Sequence, residues 1–103
     1  MIEGRRVRTA DLLENGLIES GEQLIWVRPR RGEEFHAQVL ENGSIELPDG
    51  RVFSSPSLAA IRAADIPAYD GWYAWRVPRL PEEPTLNDLR LELAHRRAAD
   101  TSQ

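Results

Sequence analysis

Two tight turns stand close together in this chain, and between them they dictate its fold class. Asn42-Gly43 and Pro48-Asp49-Gly50 flank Ser44–Leu47, a run too short to be a helix. Asn-Gly is the strongest short-range hairpin signal, because a type I′ turn needs positive φ at both central residues. Pro-Asp-Gly supplies a second sharp reversal. A chain that reverses twice in so little length must form an antiparallel meander, with Ser44–Leu47 and Arg51-Val52-Phe53 as its short later strands. Upstream, residues 35–40 alternate: Phe35, Ala37 and Val39 face one way, His36 and Gln38 the other, as in a half-buried strand. Residues 23–28, QLIWVR, are rich in branched and aromatic side chains. They run apolar without a break from Leu24 to Val27, so a strand covered on both faces is expected.

Helical signals surround this meander. Thr9 is expected to cap a helix over residues 10–15, with Asp11 in its first turn and Gly16 at its left-handed exit. Ser55-Pro56 reads as a second start, Ser as cap and Pro as first helical residue. Leu58 and Ile61 would form its apolar stripe, and the alanines around them would permit close approach. Gly71 is expected to release the chain into a last strand, residues 72–77. From Pro78 the composition shifts, and Pro-Arg-Leu-Pro-Glu-Glu-Pro reads as a stiff extended linker. Thr85 and Asp88 then resemble a capping box, ahead of an amphipathic helix carrying Leu86, Leu89 and Leu93 to about residue 99, with a fraying tail. The expected organisation is a module over 1–79, a linker over 80–84, and a C-terminal helix and tail over 85–103. The fold class is α+β: a small antiparallel sheet, the meander plus a last strand, packed by two short helices, with a C-terminal helix after the Pro-rich segment.

Composition narrows the chemistry. There is no cysteine, which removes disulfides, thiolate metal sites and a thiol nucleophile, and fits a reducing, cytoplasmic location. No apolar run approaches the roughly 18 residues of a membrane span, and the N-terminus lacks the apolar segment of a secretion signal, so no membrane partner is expected. His36 and His95 are isolated, Glu33-Glu34 and Glu82-Glu83 read as solvated turns, and no glycine-rich loop is present to cradle a phosphate. Neither catalysis nor a cofactor or metal is expected. All 13 basic residues are arginine, against a net charge of −4. Uniform arginine use is ordinary compositional bias on one reading. On another it reflects the fit of the guanidinium fork to phosphate and to guanine edges. Arg5, Arg6 and Arg8 form one cluster, and Arg28, Arg30 and Arg31 a second. Through residue 79 there are 10 arginines against 12 acidic residues, so contact with DNA requires a local cationic patch and should depend only weakly on salt.

One segment carries a more specific signal. Asp49-Gly50-x-x-Phe53 is followed by Ser55-Pro56-Ser57, an Ala-rich helix, and Gly71-Trp72-x-x-Trp75. In this order and spacing, and with the helix, strand and hairpins before them, these residues resemble the restriction-enzyme adenine-methylase-associated (RAMA) domain over residues 7–77. Such modules are found beside DNA methyltransferases and nucleases. The resemblance implies a DNA-binding module of restriction–modification type, with N6-methyladenine as the candidate mark. Ser55, Pro56, Ser57, Gly71, Trp72 and Trp75 match the family positions. Asp70 departs, since Asn is more usual before that glycine; an acid repels phosphate but can accept from an adenine amino group. Residues 80–103 lie outside the resemblance.

Residues three apart on a strand face opposite sides. Trp72 is therefore expected in the core beneath the second helix, with Trp75 the more open of the pair and Trp26 also in the core. The candidate DNA-binding residues are Arg28, Arg30 and Arg31 for phosphates or a groove; Ser55 and Ser57, at a helix start, for a phosphate; Tyr69, Tyr73 and Trp75 for stacking or contact with an N6-methyl group; and Asp70. The alternative is a protein-interaction adaptor, in which the leucine-bearing helix over 85–99 pairs with a partner or with a second copy and DNA is not bound.

Overall fold

The meander forms with the strand order its turns require. A computed structural model describes residues 7–101 of the chain; Arg5, Arg6 and the end of the expected fraying tail lie outside the described residues. Strands β1 (Gln23–Arg28), β2 (Glu33–Val39), β3 (Ile45–Glu46) and β4 (Val52–Phe53) make one antiparallel sheet in sequence order. The first pairing sets Leu24 opposite Ala37 and Trp26 opposite Phe35, so these four share the core-facing side. Val27 on the other side is 49% exposed, so β1 is covered on one face and not on both.

The Asn42-Gly43 hairpin differs in kind from the expected type I′ turn. Only Gly43 takes a positive φ, +90°, and the Leu40 N–H closes the loop on the Ser44 carbonyl at 2.8 Å. Asn42 instead folds its side chain inward, its Oδ1 accepting from the Ser44 N–H at 2.9 Å. A three-residue loop ending in a left-handed glycine satisfies the strand twist equally well. The glycine is needed for a second reason: a Cβ at Gly43 would lie 2.8 Å from the Ala10 nitrogen, where the first helix rests on the loop.

That helix, α1 (Thr9–Glu14), starts one residue earlier than expected, with Arg8 and not Thr9 as its cap. The Asp11 carboxylate accepts from the Arg8 N–H at 2.7 Å and satisfies the helix start from within, so Thr9 is free to turn into the core. The exit is a Schellman closure: the Leu17 N–H reaches the Leu12 carbonyl at 2.9 Å and the Gly16 N–H the Leu13 carbonyl at 3.1 Å. Helix α2 (Pro56–Ala64) begins at its Ser55 cap as the sequence predicts. Its core contact is made by Ala59 and Ala60, while Leu58 is 37% exposed, because only the small side chains allow α2 to lie close against its neighbours.

The expected last strand, residues 72–77, is instead a short helix, α3 (Gly71–Ala74), followed by a single bridging residue. Arg76 exchanges both backbone hydrogen bonds with Ile25, at 3.0 and 2.8 Å, and so covers the open edge of β1. The branched and aromatic residues favour a strand, but the Asp70 carboxylate accepts from the Trp72 N–H at 3.0 Å and caps a helical turn.

The Pro-rich segment is not a linker. The Val77 N–H donates to the Pro84 carbonyl at 2.9 Å and the Leu86 N–H to the Trp75 carbonyl at 3.0 Å, folding residues 77–86 back on themselves. Leu80 packs on the core. Arg79 places two nitrogens on the Glu22 carboxylate, at 2.8 and 2.9 Å, across 57 residues of sequence. Helix α4 (Leu86–Thr101) follows, its capping box formed as expected by reciprocal bonds between Thr85 and Asp88 at 2.9 and 3.0 Å. Leu86, Leu89 and Leu93 are all buried in the same core as Trp26 and Trp75. The boundary expected at residue 79 therefore falls inside one cooperative core. The leucine stripe on which the adaptor reading depended closes that core, leaving Leu91 outward on α4. No helix among the described residues is long and apolar enough to cross a membrane.

The Glu22–Arg79 clamp has a pH signature. The Arg79 fork, aided by the Glu19 N–H, holds the Glu22 carboxyl below its ordinary value of 4.5 although burial pushes it up. A depressed carboxyl contributes stability that is full above its unfolded value and is lost as pH falls through the folded one. Arg79→Ala should therefore lower the melting temperature at neutral pH. The deficit should shrink in thermal melts taken at and below pH 4.5.

Candidate nucleic-acid interface

Three of the sequence-predicted residues prove to be parts of one packing device. The Ser55 Oγ accepts from the Leu58 N–H at 3.1 Å, the ordinary cap of α2. The Ser57 Oγ accepts from the Gly71 N–H at 2.9 Å and draws α3 onto the start of α2. Gly71 sits so close that any Cβ there would collide with the Pro56 carbonyl and come to 2.5 Å from the Ser57 nitrogen. The Trp75 Nε1–H then donates to that same Pro56 carbonyl at 3.0 Å. The opening turn of α2 is thus held against α3 by the Ser57 hydroxyl and the Pro56 carbonyl, while the Ser55 hydroxyl is engaged in capping α2 itself. A phosphate expected at Ser55 and Ser57 would meet α3.

The two tryptophans exchange their expected places. Trp75 is 0% exposed, so it offers no face to a base; it is an interior residue and not a stacking platform. Trp72 is half-buried, and the Arg90 guanidinium lies 4.4 Å above its ring. The expectation assumed strand alternation, which a helix over 71–74 abolishes. Asp70 is the cap of α3. Asn and Asp cap about equally well, so the departure from the usual family residue leaves the fold intact.

The arginine hairpin behaves differently. Between β1 and β2 the chain makes one 3-10 turn, Pro29–Arg31, closed by Gly32 in the left-handed region. This gathers Arg28, Arg30 and Arg31 at one end of the sheet. Glu33 Oε1 lies 3.3 Å from Arg28 and 3.2 Å from Arg31, so a single carboxylate serves two guanidinium groups. Arg30 has no carboxylate partner among the described residues. Elsewhere Arg51 is paired with Asp49 at 2.7 Å, Arg96 with Glu92 at 2.6 Å and Arg79 with Glu22, while Arg62, Arg76 and Arg90 stand singly, without a carboxylate partner among the described residues. The hairpin end therefore keeps a local excess of positive charge on an acidic chain.

Aromatic residues stand beside it. Tyr69 packs on Trp26 with ring centroids 4.7 Å apart, Phe35 lies 5.3 Å from the same ring, and the Arg28 guanidinium is 5.3 Å from it. Tyr69 is 43% exposed, whereas Trp26 is buried. Trp26, Tyr69, Val27 and residues 28–31 line an open cleft of about 420 Å³. The structure thus brings together Arg28, Arg30, Arg31 and Tyr69. It leaves Ser55, Ser57 and Trp75 inside the packing device. Asp70 and Tyr73 are exposed but outside the cleft's lining, Asp70 being engaged with α3. Trp26 is the residue that sequence reasoning assigned to the core alone. Its place two residues before Arg28 on one strand, hence on the same face, was the available signal.

Comparison with known families agrees with this extent of the domain. A family model described as Restriction Enzyme Adenine Methylase Associated matches residues 2–99, through α4 and well past the residue 77 at which the sequence resemblance stopped. No curated protein matches the chain.

The packing device is testable by stability alone. Trp75→Phe keeps an aromatic ring in place but removes the donor to Pro56, and should cost about 1–2 kcal/mol in denaturant unfolding. Gly71→Ala forces α3 off α2 and should cost about 3 kcal/mol or more. An alanine variant as stable as the unaltered chain would mean that α3 does not rest on Pro56.

Proposed function

The chain belongs to the Restriction Enzyme Adenine Methylase Associated family, and on that footing we propose that it is a DNA-binding module of restriction–modification systems, with N6-methyladenine as the mark it reads. The observation that carries the reading is the cleft lined by both Arg30, which has no carboxylate partner among the described residues, and the exposed ring of Tyr69. A guanidinium fork holds a phosphate, and an aromatic ring stacks on a base or receives an apolar methyl group. Both functions in one cleft, at the end of a rigid sheet, fit the recognition of a nucleotide within a strand.

Charge sets the expected strength. Two of the three arginines share Glu33, so only two or so phosphates can be neutralised, and the log–log salt slope should be shallow, roughly −2. Non-specific affinity is correspondingly weak, and discrimination must come from the aromatic part of the cleft.

The test is a titration with short DNA of one sequence, with and without N6-methyladenine, as duplex and as single strand, following the Trp26 indole signal. The expected outcome is a response at low salt that weakens gradually as salt rises, with tighter binding to the methylated forms. Arg30→Ala should weaken modified and unmodified DNA alike and flatten the slope by about one. Silence toward every DNA form at low salt would end the DNA reading, and equal affinity for both adenines would end the methyl reading.

A further inference from the structure

Resting on the DNA-binding reading, we propose that the cleft takes one unpaired nucleobase of a DNA strand, stacked on Tyr69 with its neighbouring phosphate on Arg30, and not the groove of an intact duplex. The shape of the site points this way. Reading a groove requires an element that enters it and meets base edges. Here the aromatic component is a partly exposed ring in an open surface cleft of about 420 Å³. A ring offers its face, and the π-face of a base is hidden inside a duplex until that base leaves the stack.

The support beneath Tyr69 argues the same. Phe35, Trp26 and Tyr69 form a row with centroid spacings of 5.3 and 4.7 Å, and within it Tyr69 is the outward member. Trp26 is also held edge-on by Trp75, 5.9 Å away, and Trp75 is fixed to Pro56. The support beneath Tyr69 is therefore built from buried, packed rings, against which the Tyr69 ring rests. The charge is of matching scale. Glu33 is shared by Arg28 and Arg31, and Arg30 has no carboxylate partner among the described residues, which suits one or two phosphates of a single strand rather than the two phosphate rows that border a groove.

The experiment compares three DNAs of one sequence by fluorescence anisotropy: a single strand, its intact duplex, and that duplex carrying one bulged, unpaired adenine. The single strand and the bulged duplex should bind about tenfold more tightly than the intact duplex, the effect of one stacked base. Tyr69→Leu, which keeps an apolar cover on Trp26 but removes the ring, should abolish that advantage, bringing the single strand and the bulged duplex down to the affinity that the same variant shows for the intact duplex. Tyr69→Phe should retain it, which separates loss of the ring from loss of the fold. Equal binding to the bulged and intact duplexes, or an advantage that survives Tyr69→Leu, would overturn the proposal while leaving DNA binding in place. Free deoxyadenosine monophosphate competing as well as the strand would overturn its requirement for a strand. Absence of binding to all three would overturn both readings together.

Discussion

The hydrogen bond from the Trp75 indole to the Pro56 carbonyl, 3.0 Å long and fully enclosed, is the contact around which the rest of the molecule is arranged. It ties α2 to α3 at the one point where Gly71 lets their backbones meet. A buried indole N–H left without its acceptor would carry a desolvation cost comparable to the bond itself, so the contact resists rearrangement. Trp75 is also the hinge between the two halves of the core. Its ring meets Trp26 on β1, and its carbonyl receives the Leu86 N–H that starts α4. Sheet, helical pair and C-terminal helix therefore converge on one side chain.

Ser55, Ser57, Pro56, Gly71 and Trp75, which give the chain its family likeness, are packing residues outside the lining of the Trp26–Tyr69 cleft. Ser57, Pro56, Gly71 and Trp75 fix the α3 end of the loop between α2 and α3 against the start of α2. One end leaves α2 at Asp65, in the left-handed region with φ 57°, and the other is Asp70, capping α3. Tyr69 immediately precedes that cap. With Asp70 anchored in the cap of α3 and Trp26 against the Tyr69 ring, a motif used for packing sets where Tyr69 stands.

Legibility from sequence followed the range of the interactions. The Ser55 cap, the Thr85–Asp88 box, the Gly16 exit and the strand order depend on neighbours within a few residues, and the residue types alone revealed them. The segment after Gly71 was misread because its β-forming composition is local while the constraint that bends it into a helix, contact with Pro56 and Ser57, comes from outside the segment. The Pro-rich stretch was misread for the same reason: Arg79 finds Glu22 only in three dimensions. The candidate site divides along this line too. The arginine cluster was visible as a cluster, but the pairing of Tyr69 with Trp26 is a tertiary fact, and so is the exclusion of Trp75.

Charge gives the last step. An acidic chain repels DNA at long range, and an arginine-rich one need not attract it when its cations are individually neutralised. The hairpin concentrates charge: three guanidinium groups stand within four residues, two of them sharing Glu33, while the next acid, Glu34, lies 2.8 Å from His36 on the outer face of the sheet. Repulsion elsewhere and attraction at this end would orient a strand as it approaches. Asp70, one residue from Tyr69, would oppose that approach if its charge were free. It is instead directed at the N–H groups opening α3, where the helix end favours a negative charge, so the acid next to the platform is partly compensated within the fold.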